Sequence, residues 1–93
     1  MQLHFKFFAN YRDAVGQKLL DRTYERDSMT AGEMLTDLET EYEGLSGSLL
    51  DNGDVRTAVN VLVNGRDVAH IDGTDTVLED GDTVSIFPPV AGG

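Results

Sequence analysis

The chain has 93 residues and no cysteine, so disulfides, thiolate catalysis and cysteine-based metal sites are excluded. Seventeen acidic residues against seven basic ones give a formal net charge of −10, which disfavours binding to nucleic acids and to anionic membranes. The length fits one domain, and no apolar stretch is long enough to span a membrane, so the sequence predicts a cytoplasmic protein.

The surplus of acidic residues has two interpretations. The first is an acidic surface that binds a basic partner. The second is an adaptation of the whole surface to a salt-rich cytoplasm, in which ions screen the repulsion between like charges. The acidic residues are spread along the whole chain, and the only lysines are Lys6 and Lys18. This distribution favours the second interpretation.

The first 25 residues predict two strands. Residues 2–8 alternate polar and apolar side chains, as expected for a half-buried strand. Residues 9–17 are predicted to be a connection with one helical turn that ends at Gly16. Residues 18–25 alternate poorly, which indicates a second strand at the edge of a sheet.

A helix start follows at Thr30-Ala31-Gly32-Glu33, which matches the capping box, in which Thr and Glu satisfy the free N–H groups of the first turn. Apolar residues at helical spacing then predict an amphipathic helix over about residues 31–43, ended by Gly44. Residues 44–57 are predicted to be a loop. Its leucines, which we expect to pack over the core, are Leu45, Leu49 and Leu50.

The C-terminal half predicts three more strands. Valines alternate over residues 59–63, and Asn64-Gly65 favours a hairpin because a type I′ turn needs positive φ at both positions. Residues 66–70 and 83–87 are the fourth and fifth predicted strands. Further turns are predicted at Asp72-Gly73 and Asp80-Gly81. One helix covering one face of one sheet gives an α+β domain.

The body of this domain contains no catalytic pattern. His4 and His70 lack metal-ligand spacing, and we interpret both as ordinary strand residues. The acidic residues between 72 and 82 do not match a calcium-binding loop, and solvated turn residues are the better interpretation. The sequence also lacks a phosphate-binding loop and a nucleophile elbow.

The last six residues carry the strongest functional signal. Pro88 and Pro89 end the fifth strand, because proline cannot donate to a sheet and fixes its own φ. Val90 and Ala91 form a short spacer, and Gly92-Gly93 is narrow enough to enter a constricted active site. The chain therefore divides into a domain over residues 1–87 and a flexible tail over residues 88–93. A frayed terminus is the alternative interpretation of the tail.

Several segments together resemble the MoaD group of ubiquitin-like β-grasp proteins, and among them the small archaeal modifier proteins of halophiles. The resemblance covers essentially the whole chain, and residues 18–27 fit it least. The segments that carry it are Phe7-Phe8-Ala9, Thr30 to Glu33, Asn60-Val61-Leu62-Val63-Asn64-Gly65, Leu78-Glu79-Asp80-Gly81-Asp82 and Phe87 to Gly93.

The resemblance implies a five-stranded mixed sheet in the order 2-1-5-3-4 with one main helix packed across it. It also implies that an E1-like enzyme uses ATP to adenylate the Gly93 carboxylate, while the chain itself binds no cofactor. A target lysine then forms an isopeptide bond, or a sulfur donor produces a thiocarboxylate. A JAMM-type metalloprotease removes the modifier from its targets.

Two alternatives remain open from the sequence. The chain is a dedicated sulfur carrier, the small subunit of molybdopterin synthase with a MoaE-like large subunit, or it is a β-grasp binding module with an inert tail. The protein modifier and the dedicated sulfur carrier require the same Gly-Gly tail, so the sequence does not choose between tagging and sulfur transfer.

The implied strand order predicts a partner-binding surface at the base of the tail. Side chains alternate between the two faces of a strand, so Phe8, Leu62 and Phe87 point away from the helix. We expect them to form an apolar cluster that, with residues 88–91, contacts the E1-like enzyme. Lys18 is the predicted acceptor if the modifier is conjugated to itself.

Overall fold

The computed structural model describes residues 1–89 of the chain. These residues contain two α-helices, α1 (Ala9–Val15) and α2 (Ala31–Glu41). The strands are β1 (Gln2–Phe7), β2 (Leu19–Thr23), β3 (Met29–Thr30), β4 (Leu50–Asp51), β5 (Asp54–Val55), β6 (Asn60–Val63), β7 (Arg66–Asp67), β8 (Val77–Leu78) and β9 (Thr83–Phe87). Three short 3₁₀ turns lie at Glu43–Leu45, Val68–His70 and Gly73–Asp75.

Five strands form one mixed sheet in the order β2-β1-β9-β6-β7. β9 lies at the centre, parallel to β1 and antiparallel to β6, while the other two pairs are antiparallel. When the four two-residue strands outside this sheet are left uncounted, the order is the predicted 2-1-5-3-4. β2 lies at the sheet edge, as its weak alternation indicated.

The core lies between this sheet and α2. Alternate residues of β1, β6 and β9 are buried, and α2 covers them with Met34, Leu35 and Leu38, each fully buried. Thr30 and Glu33 form the predicted capping box, with the Glu33 carboxylate 2.9 Å from the Thr30 N–H. Among the residues described, no helix is long and apolar enough to cross a membrane.

The connection after β1 differs from its prediction, because it contains the seven-residue helix α1 rather than one turn. The backbone turns sharply at Ala9, where φ is 53°, and this turn ends β1 at Phe7 instead of residue 8. Tyr11 anchors α1 in the core. Gly16 ends the helix, as predicted, with a left-handed φ of 90°.

The predicted helix over residues 31–43 ends two residues early, since α2 stops at Glu41 and Gly44 lies in the following 3₁₀ turn. The segment predicted as a loop over residues 44–57 contains the small hairpin β4–β5. Asn52 and Gly53 form its turn, both with positive φ. Leu45 and Leu49 are fully buried as predicted, while Leu50 is partly buried against the core.

The fourth strand is shorter than predicted, because β7 ends at Asp67 and a 3₁₀ turn replaces residues 68–70. The Asp67 carboxylate accepts a hydrogen bond from the Ala69 N–H (2.9 Å) and thereby stabilises this turn. The turn places Val68 in the core, fully buried. His70 therefore lies in a turn and not in a strand.

Candidate functional site

An apolar depression lies at the end of β9 from which the tail departs. Its volume is about 470 Å³, it is widely open to solvent, and its walls are almost entirely apolar. Phe8 and Phe87 meet edge to face, with ring centroids 6.1 Å apart. The lining residues, here called the tail-base pocket, are Phe8, Leu62, Ser85, Phe87 and Pro88.

Strand register explains why these residues meet. Ser85 of β9 pairs with Leu62 of β6, and Phe87 pairs with Asn60. On the other side of β9, the Phe8 N–H donates to the Ile86 carbonyl (3.1 Å). The neighbours Val61, Val84 and Ile86 are buried on the helix side, so alternation places the strand residues of the pocket, Leu62, Ser85 and Phe87, on the opposite face. All five pocket residues are half-buried, so the pocket remains open to a partner.

Lys18 lies at the rim of this pocket. Its ammonium is 5.4 Å from the centroid of the Phe8 ring, within the range of a cation–π contact. The residue is exposed and directly precedes β2, and its backbone carbonyl accepts a hydrogen bond from the Phe7 N–H (2.8 Å). No local pattern in the sequence predicts this contact, because it depends on how the connection through α1 returns to the sheet.

The predicted tail begins at the pocket. Pro88 contributes to its wall, and Pro89, which is exposed, is the last residue described. The predicted roles of Val90, Ala91, Gly92 and Gly93 fall outside the described residues. The part of the chain that the structure describes therefore ends where the predicted reactive segment starts.

The acidic turn before β9, which includes Asp80 and Asp82, is held in place by hydrogen bonds that its carboxylates accept. The Asp82 carboxylate accepts hydrogen bonds from the Glu79 N–H (2.8 Å) and from the Asn64 side-chain amide (2.9 Å). Asp80 accepts a hydrogen bond from the Gln2 N–H (2.7 Å). These contacts fix the start of β9 between β1 and β6. Within residues 1–89, no cluster of acidic residues and histidines has the arrangement of a metal site.

Sequence comparison identifies relatives with the same overall organisation. The family model described as ThiS family matches residues 5–93. Small archaeal modifier protein 3 of Haloferax volcanii is 53% identical over 93 residues, which span all of this chain and all of that protein. Sulfur carrier protein CysO of Mycobacterium tuberculosis is 43% identical over 67 residues, covering 69% of this chain and 72% of that protein.

Structural comparison agrees with this assignment. The solution structure of the Haloferax volcanii HVO 2177 protein superposes with a TM-score of 0.87 and 53% sequence identity. The match covers 100% of this chain and 87% of that chain. The fold is therefore the ubiquitin-like β-grasp, and the chain belongs to the ThiS family.

Proposed function

We propose that the chain is a ubiquitin-like modifier, a sulfur carrier or both, and that its reactive group is the carboxylate of Gly93. The observation that carries this proposal is the end-to-end similarity to a small archaeal modifier protein, together with the matching region of a sulfur carrier protein. The tail-base pocket supports this proposal, because it offers a partner enzyme an apolar contact surface beside Pro88, where the tail begins.

The proposed chemistry begins with activation by an E1-like enzyme. A free carboxylate is a poor electrophile, so ATP first converts it into an acyl-adenylate and pyrophosphate leaves. A lysine amine of a target protein then attacks the carbonyl, forms an isopeptide bond, loses a proton and expels AMP. If a donor delivers sulfur as hydrosulfide instead, its sulfur attacks the carbonyl, a C–S bond forms, AMP leaves with loss of a proton, and the product is a C-terminal thiocarboxylate.

The domain supplies recognition, whereas the catalytic groups and the ATP site belong to the partner enzyme. Phe8, Leu62 and Phe87 form the contact surface, and Pro88 and Pro89 follow β9 outside the strand, because proline cannot donate to a sheet. Gly92 and Gly93 lack Cβ atoms, so the reacting carbonyl is unshielded in the partner's active site. Removal by a JAMM-type metalloprotease and sulfur delivery to a MoaE-like subunit are the proposed later steps.

The test compares the chain with a variant lacking Gly92 and Gly93 in an ATP–pyrophosphate exchange assay with the E1-like enzyme of the same organism. We expect the variant to lose exchange completely and to keep its melting temperature, because Ile86 is the last buried residue within residues 1–89. Mass spectrometry of protein isolated from its host, with a search for Gly-Gly remnants on lysines, then separates tagging from sulfur transfer. A truncated variant that still forms conjugates or a thiocarboxylate contradicts the proposal.

A further inference from the structure

The face of the sheet opposite α2 carries a continuous row of side chains across all five strands. Register places Leu19 beside Lys6, Lys6 beside Ser85, Ser85 beside Leu62, and Leu62 beside Asp67. The row therefore runs from the edge strand β2 directly into the tail-base pocket. Leu19 is 63% exposed, which makes it one of the two large hydrophobic residues described as open to solvent.

Both lysines of the chain lie on this face. Lys6 is exposed between two buried phenylalanines of β1 and neighbours the pocket residue Ser85. Lys18 approaches the pocket at Phe8. A chain with seventeen acidic residues and seven basic ones thus places two of its few cations beside the apolar tail-base pocket.

These two cations are available to a partner. Within residues 1–89 neither lysine takes part in an ion pair, whereas Arg22 pairs with Asp37 and Glu41 of α2. Two acidic residues that register places on the same face have hydrogen-bond partners of their own. Asp21 lies 2.7 Å from the imidazole of His4, and Asp67 accepts the Ala69 N–H.

We propose that this face binds a partner segment that inserts an apolar side chain into the tail-base pocket and offers carboxylates to Lys6 and Lys18. The inference rests on the proposed function, since the partner is the E1-like enzyme, and it adds the chemistry of the enzyme's docking surface. Opposite charges at the rim of an interface steer association and exclude wrong partners. The exposed Leu19 extends the apolar contact beyond the pocket.

A second copy of this chain is a poorer occupant of the same face. In a two-fold symmetric dimer each copy contributes the same patch, so lysines face lysines, and each copy carries a net charge of −10. The arrangement therefore favours a different, acidic partner surface over self-association.

The experiment measures binding of the E1-like enzyme by calorimetry without ATP, at low and high KCl concentrations. The test variant is Lys6→Glu/Lys18→Glu. The matched control is Arg56→Glu/Arg66→Glu, which changes the net charge equally at exposed positions outside the pocket. Lys6→Arg/Lys18→Arg keeps both charges. Melting temperatures establish that each variant is folded.

We expect the lysine reversal to weaken binding about tenfold at 0.1 M KCl, and the control to change it about twofold or less. The difference should shrink at 1 M KCl, where the Debye length is about 3 Å, and the arginine variant should bind like the original chain. The inference is overturned if the test and control variants lose the same affinity for the enzyme, or if Lys6→Glu/Lys18→Glu binds as tightly as the original chain.

The outcome separates this inference from the proposed function. If the chain is adenylated but its affinity for the enzyme does not depend on the two lysines, the proposed function is supported and the proposed docking surface is rejected. Lysine-dependent binding without adenylation supports the docking surface and rejects the function. If the enzyme does not bind at all, both the proposed function and the proposed docking surface are contradicted. If the original chain self-associates through this face, its occupant is a second copy and not an acidic partner.

Discussion

Asn64 and Asp82 join the two turns at the end of the sheet remote from the tail. The Asn64 amide donates to the Asp82 carboxylate (2.9 Å), and the Asn64 side-chain oxygen accepts from the Thr83 N–H (2.9 Å). Asn64 also adopts a φ of 52°, which a type I′ turn requires. This pair therefore fixes the hairpin β6–β7 to the start of the central strand β9.

Replacing Asn64 by alanine should lower the free energy of unfolding by about 1–3 kcal/mol, because two hydrogen bonds are lost and alanine disfavours positive φ. Asn64→Gly is the matched control, since it removes the same hydrogen bonds but tolerates the backbone angle. Denaturant unfolding should rank the original chain above the glycine variant and the alanine variant lowest. Equal stability of all three contradicts the role given to this pair.

Leu62→Asp should weaken binding of the E1-like enzyme by about 2–4 kcal/mol, the range of a central interface residue, and leave the fold intact. The adjacent Val61 provides the control, because its side chain is 1% exposed on the other face. Val61→Asp should unfold the domain, since it buries an unpaired charge. Adenylation of the Leu62 variant with unchanged kinetics would show that the pocket is not the enzyme's contact.

Lys18 should be modified in preference to Lys6 if the chain is conjugated to itself. Lys18 is exposed and precedes β2, whereas Lys6 lies inside β1 between β2 and β9, which restricts approach of an acyl-adenylate. Mass spectrometry of conjugates should find the Gly-Gly remnant on Lys18, and Lys18→Arg should remove it. A remnant on Lys6 but never on Lys18 contradicts this prediction, whereas a remnant on neither lysine shows that the chain is not conjugated to itself.

Stability should increase with salt concentration. A net charge of −10 on a small domain produces repulsion that is poorly screened at low ionic strength. The Debye length falls from about 30 Å at 0.01 M to about 3 Å at 1 M, so melting temperature should rise across a series of KCl concentrations. A flat or falling melting temperature contradicts adaptation to a salt-rich cytoplasm.

Glu33 should contribute to stability at neutral pH and lose this contribution in acid. Hydrogen bonding from the Thr30 backbone N–H, assisted by Arg26, lowers the pKa of the Glu33 carboxyl. A lowered pKa in the folded state stabilises the fold above the ordinary pKa of Glu, and the effect disappears as pH falls through the folded value. Glu33→Ala should therefore melt below the original chain at pH 7, with a gap that closes in acid.

The sequence predicted the features that depend on local patterns. The capping box at Thr30, the hairpin at Asn64-Gly65 and the strand Thr83–Phe87 each have a short-range physical cause and are confirmed. The Asn52-Gly53 turn carries the same hairpin signal as Asn64-Gly65, and the prediction missed it because its flanking strands have only two residues each.

Features that depend on tertiary contacts were harder to predict. Helix α1 has seven residues and no side-chain cap, so its stability comes from packing of Tyr11 rather than from local sequence. β7 ends early because Val68 is buried by the turn that follows. Strand alternation predicted the directions of Phe8, Leu62 and Phe87, whereas the position of Lys18 required the path of the intervening loop.

Because β9 is the central strand and also the last one within residues 1–89, the sheet can be completed only after almost the whole chain has been synthesised. A nascent chain that has not extended past Phe87 lacks the strand that joins β1 to β6, so it has neither a continuous sheet nor a closed core. Ser85 and Phe87 of the same strand also form the tail-base pocket. Folding is therefore completed by the segment that immediately precedes the tail, and a molecule that ends before β9 lacks both the continuous sheet and the tail-base pocket.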